Sequence, residues 1–123
     1  MSRVKSKNTG IELKLRSALH KTGLRYKIHL KGTPGTPDIV FMKKKVAIFV
    51  DGDFWHGYRF NGWKNALKPF WYEKIGSNIR RDRRNFQKLR RLGWITIRVW
   101  EHQIEADLNR QVERIKTRLN KPG

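Results

Sequence analysis

The stretch VDGDFWHG, residues 50–57, sets two carboxylates, Asp51 and Asp53, beside a bare Phe54–Trp55 pair and His56. Upstream, Asp38 follows the turn-rich KGTPGTP and opens an otherwise apolar run, DIVFM. An acid at that place is costly to bury without a partner. A divalent cation held by the Asp38 carboxylate and a strand-end carbonyl would remove the cost. Hard oxygen donors at a sheet edge suit Mg²⁺, which can stabilise a phosphodiester transition state. Near such a cation, a neutral His56 could activate water as a general base around neutral pH. Plainer accounts stand beside these. Asp38 could cap the TPGTPD turn, a lone histidine is more often structural, and Glu12 is fully explained as the partner of Thr9 in a helix capping box.

The surrounding charge narrows the substrate. Twenty-nine Lys and Arg against ten Asp and Glu give a formal charge of +19 over 123 residues. A domain so basic repels itself unless it meets an anion, and of the usual anions, nucleic acid and acidic lipid, nucleic acid is the expected partner. No run approaches the roughly 20 apolar residues of a membrane span, so a membrane partner is not expected. The opening MSRVKSKNTG has no hydrophobic signal region, which predicts an intracellular, cytoplasmic protein working at the nucleoid. Cysteine is absent, which excludes disulfides and thiolate metal sites. Phe54, Trp55, Tyr58, Phe60, Trp63, Phe70 and Trp71 crowd into eighteen residues, interleaved with Lys and Arg. They could fold back into the core, but that interleaving resembles a surface that stacks on or wedges between bases. Arg80, Arg81, Arg83, Arg84, Lys88, Arg90 and Arg91 could grip phosphates, giving affinity and register rather than sequence preference.

The elements that must position these residues follow from periodicity. TGIELKLRSALHKTG predicts a helix with Thr9 at its N-cap and Gly23 as its stop. LRYKIHL, residues 24–30, alternates like a strand. DIVFM and VAIFV are almost wholly apolar and separated by three lysines, a pattern that suits a hairpin buried on both faces mid-sheet. If Lys43–Lys45 make the turn, Met42 faces Val46 and Asp38 falls opposite Val50. Residues 70–93 predict a very basic helix, 94–100 a strand, and 103–120 a closing amphipathic helix. The order αβββαβα predicts one α/β domain over residues 1–123, a mixed central sheet flanked by helices.

Taken in order, these motifs resemble the very short patch repair (Vsr) mismatch endonucleases. MSRVKSKNTGIE matches that family's N-terminal segment, GTPDIVF its aspartate motif, and VAIFVDGDFWHG its FVDGCFWHG signature. FWYEKIGSNIRRDRR matches its basic helix and LGWITIRVWE its last strand, so the likeness covers roughly residues 1–105. The resemblance implies a PD-(D/E)XK-like, three-layer core of the restriction-endonuclease type. It implies Asp38 and the Val50 carbonyl as ligands of Mg²⁺, for which Mn²⁺ can substitute. It implies His56 as general base, Glu12 as a carboxylate holding the cation's water, and Asp51 close to the scissile phosphate. Phe54, Trp55 and Trp71 match the aromatics that wedge into the duplex. Lys74, Asn78, Arg81 and Arg84 lie on the matching helix as DNA contacts. The implied activity is hydrolysis of a phosphodiester at or near a T:G mismatch; separately, the polar last helix shows no clear partner seam, so a monomer is expected.

One departure stands out. The family's structural zinc is held by cysteines and a histidine, beginning with the Cys of GCFWH. Here Asp53 takes that place, Tyr58 and Phe60 replace the next ligands, and WEH ends in His102. A structural zinc is therefore not expected, and a direct Asp53–His102 pair is the simplest replacement. Two rival functions keep the same residues: a Vsr-like nuclease of a mobile element or defence system that cuts matched DNA, and a non-catalytic DNA-binding module.

Overall fold

A computed structural model describes residues 9–121, leaving the first eight residues of the N-terminal motif outside the described part. Helix α1 spans Gly10–Lys21, and the Thr9 hydroxyl accepts the Glu12 N–H at 3.3 Å. Three strands follow: β1 (Lys27–Ile28), β2 (Ile39–Phe41) and β3 (Val46–Asp51). Helix α2 (Pro69–Arg91) crosses over to β4 (Ile95–Trp100), and helices α3 (Glu101–Ala106) and α4 (Leu108–Leu119) close the chain.

The sheet order is β1-β2-β3-β4, with β1–β2 and β2–β3 antiparallel and β3–β4 parallel. The hairpin does lie mid-sheet, and every residue of β2 and β3 is buried. Side chains alternate along β3 because successive residues face opposite sides. Val46, Ile48 and Val50 pack with Leu15 and Leu19 of α1, Ile97 and Val99 of β4, and Ile104, Val112 and Ile115 of α3 and α4. Ala47 and Phe49 face the other way, against Leu89 and Phe86 of α2. The result is a mixed α/β arrangement with helices on both faces of the sheet. Among the described residues, no helix is long and apolar enough to cross a membrane.

Three expectations need correction. The hairpin turn takes four residues rather than three: Phe41, not Met42, pairs with Val46, and Ile39 pairs with Ile48. Lys45 adopts φ +54 and its N–H bonds the Met42 carbonyl, so it belongs to the turn together with Met42. The register is thereby one residue off the expected one, and Asp38 does not fall opposite Val50. The strand expected over 24–30 pairs only at Lys27 and Ile28, because His29 at φ +46 leaves the extended conformation. The closing helix is two helices. Asp107 breaks it with φ −159 and ψ 89, and its carboxylate caps α4 by accepting the Arg110 N–H at 3.0 Å.

The end of α2 shows why its boundary was legible. Gly93 at φ +87 donates to the Arg90 carbonyl at 3.0 Å, and Trp94 donates to Leu89 at 2.9 Å. This pair of bonds closes the last turn as a Schellman motif, in which glycine takes the left-handed position without a Cβ penalty. Trp94 then packs on Leu89 and enters β4.

Candidate active site

Despite the shifted register, Asp38 and Val50 meet. The Val50 N–H donates to Asp38 Oδ2 at 2.7 Å, while the Asp38 N–H donates to the Ile48 carbonyl at 2.9 Å. Asp38 is almost fully buried, as the apolar strands on either side dictate. Glu12 is completely buried in the first turn of α1, and its Oε2 lies 2.7 Å from His29 Nε2 and 3.4 Å from Arg16 Nη1. The ligand atoms of Glu12, His29 and Asp38 all fall within 4.8 Å of one another. A helix cap alone would not draw the Glu12 carboxylate into this cluster.

His29 was not singled out from sequence, where it was one polar member of an alternating segment. Its backbone explains its placement. The left-handed φ turns the chain out of β1, and the His29 N–H bonds the Asp38 carbonyl at 3.1 Å. The ring is thereby delivered to Glu12. Histidine is among the few non-glycine residues found in that region with any frequency.

A second group sits on the α2 face, one residue along β3. Asp51 is fully buried, and its Oδ1 lies 3.6 Å from His56 Nε2. On the other side of the ring, His56 Nδ1 meets Asp82 Oδ2 at 2.6 Å. Arg98 from β4 bridges the two acids, its Nε to Asp51 Oδ2 and its Nη2 to Asp82 Oδ2, each at 2.7 Å. Burial draws the Arg98 pKa below its ordinary value, while the neighbouring Asp82 pulls it back up. Neither Asp82 nor Arg98 was singled out from sequence. The available signals were the lone acid in RRDRR and the lone charge in the apolar strand WITIRVW. The Asp51, His56 and Asp82 ligand atoms also fall within 4.8 Å of one another, but a guanidinium already fills the role a cation would take between the carboxylates.

A cavity of about 510 Å³ opens beside His56, walled by Thr9, by Gly10 and Ile11 of α1, by Val50, Gly52 and the loop residues Phe54, Trp55 and His56, and by Glu101. The loop itself is held from below. Asn78 Nδ2 donates to the Trp55 carbonyl at 2.9 Å, and the Arg81 guanidinium donates to Asn78 Oδ1 at 2.7 Å. Both α2 residues are buried, so in this structure they support the loop rather than face outward. Arg84 is exposed and Lys74 half-buried. Gly57 makes the close approach possible. Its φ is +71, and a Cβ there would lie 2.4 Å from Ile79 Cδ1 on α2.

The rings form one cluster on the surface. Trp55 and Trp71 lie 5.3 Å apart, Phe54 and Trp55 5.4 Å apart, and Phe54 stacks on Trp63 at 5.6 Å. Phe54 is 41 % exposed, Trp55 37 % and Phe70 65 %. These rings touch one another at the surface rather than folding back into the core. At the base of the loop, His102 Nδ1 meets Asp53 Oδ1 at 2.9 Å, and the Tyr58 ring lies 4.3 Å from the His102 ring. Asp53 and His102 thus pair directly, where the zinc ligands of the resembled family would stand.

A family model described as DNA mismatch endonuclease Vsr matches residues 1–62. The Type II nicking enzyme V.XorIIP of Xanthomonas oryzae pv. oryzae is 38 % identical over 98 % of this chain and 89 % of its own length. The Type II nicking enzyme V.NmeDIP of Neisseria meningitidis serogroup C is 40 % identical over 91 % of this chain and 78 % of its own. The DNA mismatch endonuclease Vsr of Escherichia coli K12 is 38 % identical over 82 % of this chain and 66 % of its own.

Proposed function

This chain belongs to the Vsr family of DNA mismatch endonucleases, and from that membership we propose that it is a Mg²⁺-dependent enzyme hydrolysing one phosphodiester at or near a T:G mismatch in double-stranded DNA. It is a DNA endonuclease. The reading includes a PD-(D/E)XK-like three-layer core, acting as a monomer in the cytoplasm. The single observation that carries it is the meeting of Glu12 and Asp38 at the end of β3, one residue from Asp51 and beside the cavity that His56 lines.

The donor set fits the cation. Glu12 and Asp38 supply hard carboxylate oxygens, and Val50 lies next to the last residue of β3, where its carbonyl can serve as a further ligand. Asp38 and the Val50 carbonyl would hold Mg²⁺, or Mn²⁺ in its place, with Glu12 orienting water. Bound there, the cation supplies electrostatic stabilisation of the charge that develops on the phosphate oxygens.

The remaining work falls to this chain's own side chains. Asp82 fixes the His56 ring through Nδ1, which places the accepting lone pair at Nε2. His56 takes a proton from the attacking water, and the water oxygen forms its bond to phosphorus as the strand's P–O bond breaks. Phe54, Trp55 and Trp71 enter the stack, at a cost of roughly a few kcal/mol per base step. Because pairing is already weakened at a mismatch, that cost is lowest there. Mismatch preference thus has a physical basis before any base edge is read. The relatives named as nicking enzymes support cleavage of one strand rather than two.

The test is a cleavage panel of T:G, matched and single-stranded substrates, each with Mg²⁺ or EDTA. Nicking of the T:G duplex alone, lost in EDTA and in Asp38→Asn, is the expected result. Cutting of matched duplex would favour the mobile-element reading. Equal behaviour of wild type and Asp38→Asn, with DNA binding retained in both, would leave a binding module.

A further inference from the structure

Arg98 has no part in the reaction as drawn, yet it touches both acids that flank His56. Asp82 Oδ2 accepts from His56 Nδ1 at 2.6 Å and from Arg98 Nη2 at 2.7 Å, so one oxygen serves both donors. The second arm, Nε, holds Asp51 Oδ2 at 2.7 Å, which leaves Oδ1 of the same carboxylate 3.6 Å from His56 Nε2. The guanidinium also lies over two rings, 4.2 Å from the centroid of Trp100 and 5.1 Å from that of Phe86. Its planar fork suits this double grip, whereas an ammonium has no fixed geometry to impose.

The charge argument runs in the same direction. A carboxylate within a few Å of an imidazole favours the protonated ring, and His56 lies between two. An imidazolium has no lone pair at Nε2 and cannot accept a proton from water. A cation shared by both acids offsets part of that pull. The other charged groups near the ring do not substitute for it: Arg81 of α2 is turned to Asn78, Glu101 of α3 lines the cavity wall, and the α1 end lines that wall with the uncharged Thr9, Gly10 and Ile11.

We propose that Arg98 is a positioning residue for His56: it fixes Asp82 as the acceptor of the Nδ1 proton and offsets the paired carboxylates, so that the ring stays neutral and able to accept at Nε2. This inference rests on His56 acting as the base. Its grounds are the shared oxygen, the two-armed bridge and the guanidinium lying over two rings.

Two measurements on the whole chain separate this inference from the reading beneath it. The first follows the ¹⁵N signals of His56 in free protein across pH, with no DNA present. Wild type is expected to hold the Nδ1–H tautomer near neutral pH. Arg98→Met is expected to raise the pH at which the ring loses its proton by roughly one unit, the lower end of what one nearby charge does. The second is the pH profile of T:G nicking in Mg²⁺. Its acid limb should move up by the same amount, with kcat falling and KM little changed. Arg98→Lys should keep the wild-type profile, since the charge is retained, while kcat stays reduced for want of the fork. Arg98→Met combined with Asp51→Asn removes both partners of a buried pair, so it is the variant to use if the single substitution fails to fold. It should return the ring titration to the wild-type value. A ring titration and profile unchanged in Arg98→Met, or not restored in the double variant, would overturn the inference. Nicking that persists in His56→Ala would sink the base assignment instead, and the ring titration would still report on Arg98.

Discussion

Val50 donates its backbone N–H to the Asp38 carboxylate at 2.7 Å, so the acid that opens one central strand is fastened to the end of the next. This bond does what the expected strand pairing did not. The hairpin register is shifted by one residue, yet the side chain spans the difference and brings the Asp38 carboxylate to the Val50 backbone. An acid buried among Ile39, Val40 and Ile48 persists only where it has such partners.

Replacing Asp38 by Asn keeps an acceptor for that N–H and removes the charge. Cleavage of a T:G duplex in Mg²⁺ should drop by about a thousandfold, or ~4 kcal/mol of lost transition-state stabilisation. Binding of the same duplex, followed by fluorescence anisotropy, should change less than threefold. Loss of both together would point to a folding defect, visible by circular dichroism.

Trp55→Ala removes a ring that is more than a third exposed and touches Phe54 and Trp71. Stacking of a base on an aromatic contributes roughly 1–3 kcal/mol. Affinity for mismatched duplex should therefore fall by about tenfold while the melting temperature is nearly unchanged. A variant that binds as tightly as wild type would remove this ring from the wedge.

Arg84 is exposed on α2, whereas Arg81 is buried against Asn78. Arg84→Ala should lessen the slope of log K against log salt by about 0.9, the contribution of one neutralised phosphate. Arg81→Ala acts differently. It should loosen the loop through Asn78 and reduce cleavage, with little change of slope.

Gly57→Ala tests the packing of the loop. A methyl group would meet Ile79 at 2.4 Å from Cδ1 and 2.8 Å from Cγ1, on a backbone held at φ +71. The expected cost is about 1–3 kcal/mol, measured as a lower urea midpoint with the slope unchanged.

Prolonged treatment with a zinc chelator should leave the melting temperature where it was, because Asp53 and His102 meet directly at 2.9 Å. A substantial fall on removing stoichiometric zinc would refute this. His102→Ala should cost about 0.5–1.5 kcal/mol, as for an ordinary partly exposed hydrogen bond.

What the residues disclosed, and what they withheld, follows from the range of each interaction. Helix ends at Thr9 and Gly93 are set by neighbours a few positions away, so they stood in the sequence. The apolar runs of β2 and β3 announced central strands for the same reason. The Asp107 break was equally local, an acid before LNR serving as a new N-cap, and it was masked by amphipathic spacing that continues across it. The Asp82–His56–Arg98 contacts are not local. They join a loop, a helix and a strand separated by 26 and 16 positions, and only the fold brings them together. His29 was hidden by its backbone, since a left-handed residue in an alternating segment carries no sign of its φ. Glu12 shows the reverse case. Its spacing from Thr9 suggested a cap, and the structure gives the carboxylate to His29 and Arg16 instead.

The Asp53–His102 contact has a consequence for where this protein can work. Thiolates that grip a metal are open to peroxide, and their loss would release whatever they fasten. An imidazole and a carboxylate offer an oxidant nothing comparable to attack. The sulfur atoms of the chain are the thioethers of Met1 and Met42, and Met42 sits in the hairpin turn, away from the end of β3 where the aromatic loop begins. The anchor of that loop thus holds no sulfur for an oxidant to attack.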